Sequence, residues 1–358
     1  MEKRYFALDI GGTKTKYALL GEKGEILSTY EKDTEAQRGG SFILENVKGE
    51  IRRVLEELKG ELTEGAEDGK EVAATVEQKA AATVEQKAAA TVEQKAAAKV
   101  EQKAAAKVEH KAETRAESLL AGICISTAGM VDEIKGEIIH AGPQIPEYKG
   151  TKWKEEIERT FSIPCEVEND VKCAGLGEYS FGSGKGAGSM LCLTIGTGIG
   201  GSFILNGEVY HGTSHSAMEI GYMQIPGGMF QRMASTSALV KRVASRKGEA
   251  EELWNGKRIF EEVAKEDKIC LEELDRLCDA LSIGLSNLCY AFNPECIVLG
   301  GGIMEQKEIL LPKIWGHLQE HLVPIVAENT RLLAASLGNR AGLLGAYVHF
   351  QNRQRAKD

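Results

Sequence analysis

Three places in the chain bring together residue types that do phosphate and proton chemistry. The first is Asp9 followed by Gly11, Gly12, Thr13 and Lys14. Two glycines let backbone N–H groups approach a phosphate, and Thr13 and Lys14 can donate to it. Asp9 is placed to hold a magnesium ion through water. The alternative is an ordinary hairpin turn with a solvated lysine. The second place is Asn169-Asp170. An aspartate at a strand end beside a helix start suits a general base, whereas Asn and Asp also serve simply as helix caps. The third is Gly196-Thr197-Gly198, which repeats the first pattern, and further on Gly300-Gly301-Gly302 ends an apolar run. A glycine triplet there permits flat contact with a base or ribose, or makes a tight strand–helix turn. His211, His215 and Glu219 suggest a metal set. The surrounding Gly, Thr and Ser read as a loop, and Glu219 reads better as an acceptor for a polyol.

The elements that must position these groups follow from pattern. Phe6-Ala7-Leu8 closes a buried strand, Lys16–Leu20 forms its hairpin partner and Gly24–Tyr30 a third strand, so a meander opens the fold. Phe42, Ile43, Val47, Ile51, Val54 and Leu55 recur at helical spacing over 42–58. Leu119–Ser126 reads as a buried strand ending in the small residues Thr127, Ala128 and Gly129, which suit close ligand approach. Cys165–Glu168 delivers Asn169 and Asp170 ahead of a small-residue helix at 171–179. Met190–Ile195, Gly196–Gly201 and Ser202–Leu205 form strand, turn and strand. Asn293-Pro294 stops a helix over 271–293, before the strand Glu295–Leu299. Two copies of one phosphate hairpin imply two similar α/β domains facing each other across a cleft.

From Ala73 to Lys111 the chain repeats every eight residues as TVEQKAAA and close variants. These are strong helix formers, but the valines drift by about 80° per repeat and make no straight apolar stripe. The stretch reads as a long helix, either a spacer or a repeat expansion tolerated in a surface connection.

Bulk composition narrows the class. With 358 residues the chain can build two cores. Hydrophobic content of 42%, charged content of 27% and a net charge of -9 describe a globular protein and argue against a broad nucleic-acid surface. The eight cysteines are scattered through apolar runs with no CxxC pair, as in reduced buried thiols. No signal-peptide core and no run of membrane-spanning length is present, so a cytoplasmic protein is expected.

DIGGTK, IGTGIGG and LGGGI, in that order, resemble the phosphate-1, phosphate-2 and adenosine elements of the actin-like, ribonuclease H-like ATPase fold. The chain resembles the ROK sugar kinases in particular, at Asp9–Lys14, Ser126–Asp132, Glu168–Asp170, Gly196–Gly201, Glu219–Gly221, Asn293–Ile303 and Gly338–Gly345. The resemblance implies a small first domain, 1–132, interrupted by a helical repeat insertion at about 66–117 and completed by a C-terminal helix at 341–358, and a large domain over 133–340. It implies ATP-dependent phosphorylation of the C6 hydroxyl of a hexose, with Mg2+ held mainly through ATP, and a homodimer without nucleic-acid or membrane partners. Asp170 takes the role of general base, for which a carboxylate of ordinary pKa suffices. Asn169, Glu219, Tyr222 and Gly129 line the sugar site. Asp9, Gly11, Gly12, Thr13, Lys14, Gly196, Thr197, Gly198, Gly301 and Gly302 hold the nucleotide.

Two departures bear on the substrate. The family's Glu-x-Gly-His has Tyr222 in place of the histidine, and residues 223–237 contain no cysteine, so no zinc is expected. Zinc-less relatives of this kind resemble N-acetylmannosamine kinases and β-glucoside kinases; Ile125–Gly129 with Gly142–Pro146 favours the former. A non-catalytic sugar sensor is the alternative of another class. A repressor with a preceding helix-turn-helix is not expected, since eight residues precede Asp9.

Overall fold

The computed structural model describes residues 2–77 and 120–357, and from 62 to 77 the backbone alone. The repeats from residue 78 to Lys111 lie outside the described residues. So does most of the insertion expected at 66–117.

The opening meander forms as β1 (Arg4–Ile10), β2 (Lys14–Leu20) and β3 (Ile26–Asp33), all antiparallel. Strand β4 (Leu120–Thr127) pairs parallel to β1 and runs into a small hairpin of β5 (Met130–Asp132) and β6 (Glu137–His140). Strand β7 (Cys165–Asn169) then pairs parallel to β4, from Ile123↔Cys165 to Thr127↔Asn169. The first sheet has the order β3-β2-β1-β4-β7. It therefore extends past Asp132, where the resemblance placed the end of the first domain, to Asn169. Cys165 and Val167 share a core with Ile123 and Ile125, and the helix Trp153–Phe161 buries Trp153 and Ile157 against them. Parallel neighbours are chosen by the core they share, and adjacency in the chain does not reveal them.

The second sheet repeats the plan. Strands β8 (Ser189–Ile195), β9 (Ile199–Leu205) and β10 (Glu208–Val209) are antiparallel. A short hairpin, β11 (Gln224–Ile225) with β12 (Gly228–Met229), stands apart. Strands β13 (Cys296–Gly300) and β14 (Arg331–Ala334) then add in parallel, giving the order β10-β9-β8-β13-β14. The helix Lys268–Phe292 covers this sheet and ends at Asn293 in a left-handed C-cap, before Pro294.

Each face of the first sheet carries its own core. On one face Ile43, Val47, Ile51, Val54 and Leu58 of the helix Gly40–Glu77 pack on Phe6, Leu8 and Tyr17. On the other, Leu343, Ala346, Tyr347 and Phe350 of the final helix, Ala341–Arg355, pack on Tyr5, Ala7, Ala18 and Cys124. That helix also lies against the helix Asp170–Phe181, backbone to backbone. A Cβ on Gly345 would stand 1.6 Å from Cys173 O, and one on Gly177 would stand 2.4 Å from Ala341 O. Buried Glu178 fastens the approach to the final helix by accepting from the N–H groups of Ser336 and Leu337 at 2.8 and 2.7 Å. All eight cysteines are free and buried. No described helix is long and apolar enough to cross a membrane.

Candidate active site

Asp9, Ser126 and Glu168 fall side by side across β1, β4 and β7, because the three parallel strands keep one register. Period-two alternation points all three to the face that the final helix covers. Ser126 Oγ donates to Asp9 Oδ1 at 2.7 Å. Gly342, in the first turn of the final helix, lies against the same carboxylate, and a Cβ there would be 2.7 Å from Asp9 Cγ. A helix start beside an anion is electrostatically favourable.

Asn169 and Asp170 sit where β7 becomes a helix. Asn169 Oδ1 accepts from Val171 N and Lys172 N at 3.0 and 3.1 Å, so Asn169 is the cap of that helix. Its Nδ2 donates to Gly129 O and to Asp170 Oδ1, both at 2.9 Å. Asp170 also accepts from Val171 N at 2.9 Å. Burial, then the carboxylates of Asp9 and Glu219, push the Asp170 carboxyl up to about 7. An ordinary carboxylate pKa therefore does not describe this site: like charges and a desolvated position hold the group where it exchanges a proton near neutrality.

A cavity of about 410 Å³ opens above Asp170. Gly129, Asn169, Asp170, Gly196, Thr197, Gly198, Glu219, Tyr222 and Gly301 line it, so residues from five separate stretches converge. His140, Gln144 and Gln231 line it too, and nothing in their local sequence singled them out. His140 ends β6, on the far side of a hairpin that only the tertiary fold brings to the cleft. Gly129 has φ 98, and a Cβ there would meet His140 O at 2.8 Å; Gly301 has φ 93, and its Cβ would meet Ile195 O at 2.2 Å. Both positions require glycine. A Cβ on Gly196 or Gly302 would meet nothing within 4 Å, so at these two the chain leaves open room beside the backbone.

The first hairpin stands at the edge of this cavity, with Gly12 reaching Gln144. Gly11 N donates back to Lys14 O at 3.0 Å and closes the turn. The side chain of Lys14 is drawn to β3, with Nζ 2.8 Å from Asp33 and 3.8 Å from Glu31. Asp33 beside it raises the ammonium pKa. The cation beside Asp9 is Lys16, whose Nζ is 3.7 Å from Asp9 Oδ2 and donates to Asn339 Oδ1 at 3.1 Å. The strand period put Lys14 and Lys16 on one face, and pairing with β3 decided which of them stands beside Asp9.

Two larger spaces flank the cavity. One, of about 610 Å³, shares Gly196 and Thr197 and is walled by Trp254, Phe260, Gly302 and Ile303. The other, of about 440 Å³, shares Thr194 and Gly301 and reaches Ser336 and Asn339. Glu219 opens to the cleft, where the enclosing walls push its carboxyl above the usual range, with Lys172 and His140 opposing. Tyr222 stands exposed at the rim. His211 and His215 turn away from Glu219: His211 Nε2 pairs with buried Glu168 at 2.5 Å, and His215 Nδ1 with buried Glu133 at 2.6 Å. The three-residue set suggested by the sequence is thus divided between two places.

The model of the ROK family matches residues 65–353. An uncharacterized protein of Clostridium perfringens is 40% identical over 347 residues, covering 97% of each chain. A β-glucoside kinase of Listeria monocytogenes is 34% identical over 239 residues, 64% of this chain and 79% of that one. Among solved structures, a Listeria monocytogenes protein whose N-acetylmannosamine kinase assignment is provisional superposes with a TM-score of 0.72 at 25% identity, covering 98% of this chain and 99% of that one. The fold with two repeated α/β sheets is the actin-like ATPase arrangement that the three glycine motifs implied. Family model, relatives and architecture agree: this chain belongs to the ROK family.

Proposed function

We propose that the chain transfers the γ-phosphoryl group of ATP to the C6 hydroxyl of a hexose of the N-acetylmannosamine or glucose type. The observation that carries this reading is Asp170: a carboxyl raised to about 7, in a cavity whose other walls are glycine loops and Glu219. A base of that pKa is charged for about half the time at neutral pH and accepts a hydroxyl proton with little mismatch. Asn169 holds it, and Glu219, Tyr222 and the Gly129 carbonyl region receive the other sugar hydroxyls.

Gly11, Gly12 and Thr13, with Gly196, Thr197 and Gly198, take the phosphates. Lys14 belongs to this set if it leaves Asp33. The open room beside Gly196 and Gly302, and the space walled by Trp254 and Phe260, fit a nucleotide with its nucleoside against Gly301 and Gly302. Asp9 has one oxygen engaged by Ser126 and the other facing Lys16, which fits a hydrated Mg2+ reached through water. The ion, when bound, screens the charge of the β- and γ-phosphates. The chain's own share is positioning: it aligns the hydroxyl, Asp170 and the phosphate loops, and it excludes water when the two sheets close on the cleft.

A second reading, β-glucoside phosphorylation, rests on Tyr222. Its exposed ring at the rim offers a stacking surface for an aglycone, and the Listeria relative bears that name. Phosphorylation is measured by ADP release with glucose, N-acetylmannosamine, N-acetylglucosamine and cellobiose, with Asp170→Asn as control. Turnover of a free hexose that the control loses supports the first reading. Preference for cellobiose selects the second. No turnover of any sugar would replace both with a sugar-sensing role. The homodimer expected from the resemblance and the cytoplasmic location expected from composition belong to this reading, and light scattering checks the former.

A further inference from the structure

A second group of ionisable side chains lies where the loop carrying Glu219 meets the end of β5, and phosphoryl transfer leaves it unused. Asp132 and Glu133 are consecutive and both buried. Both face His215: Glu133 Oε2 is 2.6 Å from Nδ1, and Asp132 Oδ2 is 3.9 Å from Nε2. One ligand atom from each of the three lies within 4.8 Å of the other two, and among the described residues no other His, Cys, Asp or Glu set is so grouped.

A fourth side chain points the same way. His211 Nδ1 is 3.7 Å from Glu133 Oε1, and its Nε2 is held at 2.5 Å by Glu168. Glu168 is wholly buried and, as a carboxylate, only accepts. His211 Nε2 therefore donates to Glu168, and Nδ1 is the ring nitrogen that faces Glu133. In His215, Nδ1 faces Glu133 and Nε2 faces Asp132. Both rings thus turn a nitrogen toward a buried carboxylate, and together they make a donor set that a divalent cation can share. A carboxylate behind the far nitrogen of a histidine is the arrangement that orients imidazole for a metal. The cations already near are two. Lys135 Nζ is 2.9 Å from Asp132 Oδ2 on a well-exposed side chain, and Lys172 Nζ donates to the backbone oxygen of His215 at 2.7 Å.

From this geometry we infer that Asp132, Glu133, His215 and His211 form a binding site for a divalent transition-metal ion, which fastens the Glu219 loop to the first sheet. Two carboxylates match a dication in charge, and the imidazole nitrogen donors favour Zn2+, Co2+ or Mn2+ over Mg2+. Metal–ligand bonds of about 2.0–2.2 Å place ligand atoms about 3–3.5 Å apart. The spacings of 2.6 to 3.9 Å bracket that value, so small side-chain movements complete the shell. The site uses neither Tyr222 nor any cysteine, and it stands whether or not the proposed reaction is right. Gly129, three residues before Asp132, and Glu219, four after His215, both line the cavity over Asp170. An ion here therefore holds two walls of that cavity together.

The test uses the full chain stripped with a chelator and titrated with Co2+ or Zn2+ alone. One equivalent of Co2+ is expected to give visible d–d absorption. Zn2+ at about a hundredfold over its dissociation constant is expected to raise Tm by about 4 °C, and Mg2+ by far less. The double variant Glu133→Gln, His215→Asn is expected to weaken binding by about a hundredfold or more. Should that variant fail to fold, anomalous scattering at the zinc edge from zinc-loaded native crystals locates the ion directly, with a peak expected between Asp132, Glu133 and His215. Failure to bind a stoichiometric ion, unchanged affinity in the double variant, or a peak elsewhere overturns the inference.

Discussion

Asn169 Nδ2 donates at 2.9 Å both to Asp170 Oδ1 and to Gly129 O, so one amide joins the proposed base to the opposite wall of its cavity. The cap and the site are therefore the same residue in two uses. Asn169→Ala is expected to cost about 1 kcal/mol of stability through the lost cap, measured by urea unfolding. It is also expected to lower kcat tenfold or more, since Asp170 loses its side-chain tether. Asn169→Asp keeps a cap acceptor but places a like charge beside Asp170. Its kcat/KM profile should shift to higher pH.

The raised carboxyl of Asp170 sets a pH profile. The base acts when deprotonated, so kcat/KM should rise with pH through about 7 and fall tenfold per unit below it. The stability consequence has the opposite sense. A carboxyl whose folded pKa lies above its unfolded value binds more protons in the folded state, so its contribution to stability falls as pH rises from about 4 to about 7. Asp170→Asn removes the charge and keeps the shape. It should be inactive yet about 1–2 kcal/mol more stable than the parent at pH 8, with the difference shrinking toward pH 4. A variant less stable than the parent at both pH values would contradict the burial argument.

Lys14 and Lys16 separate by which acid holds them. Lys16 stands beside Asp9, and Lys14 is paired to Asp33 and Glu31. Lys16→Met is expected to lower kcat/KM tenfold or more. Lys14→Met is expected to change it less than threefold, because an exposed pair of this kind contributes little. Steady-state kinetics of the two variants at one ATP concentration decides the matter, and the reverse order would return Lys14 to the phosphates.

The crossing of the two central helices depends on glycine. A Cβ on Gly345 would fall 1.6 Å from the carbonyl oxygen of Cys173, a backbone atom that cannot swing aside. Gly345→Ala should destabilise the fold by about 3 kcal/mol through overpacking. Gly49, exposed in the helix Gly40–Glu77, has nothing within 4 Å of the same built atom. Gly49→Ala should stabilise by about 0.5–1 kcal/mol, and thermal denaturation of both variants gives the contrast.

Much of the architecture was legible because it is written locally. The meander, the two strand–turn–strand repeats, the stop at Asn293-Pro294 and the helical face of Ile43, Val47, Ile51 and Val54 depend on period and on turn residues within a few positions. The parallel partner of β4 was not legible. Cys165–Glu168 is separated from it by a hairpin and a helix, and its choice of neighbour rests on a shared core. His140, Gln144 and Gln231 were missed for a related reason: single polar residues carry no periodic pattern.

By itself the sequence determined which groups were available: an aspartate at a strand end, two glycine-rich hairpins, a glycine triplet, and a tyrosine with no cysteines after it. Those properties follow from residue type and short-range spacing. Tertiary structure decided which of the groups meet and in what electrical state. Glu219 went to the cleft while His211 and His215 went to buried carboxylates, although all three share one loop. Lys16 rather than Lys14 came to Asp9, through pairing with a third strand. The Asp170 carboxyl came to be poised near neutrality because folding withdrew it from water and set Asp9 and Glu219 near it. Desolvation and charge proximity arise only between parts of the chain that are distant in sequence, and short-range pattern carries no record of them.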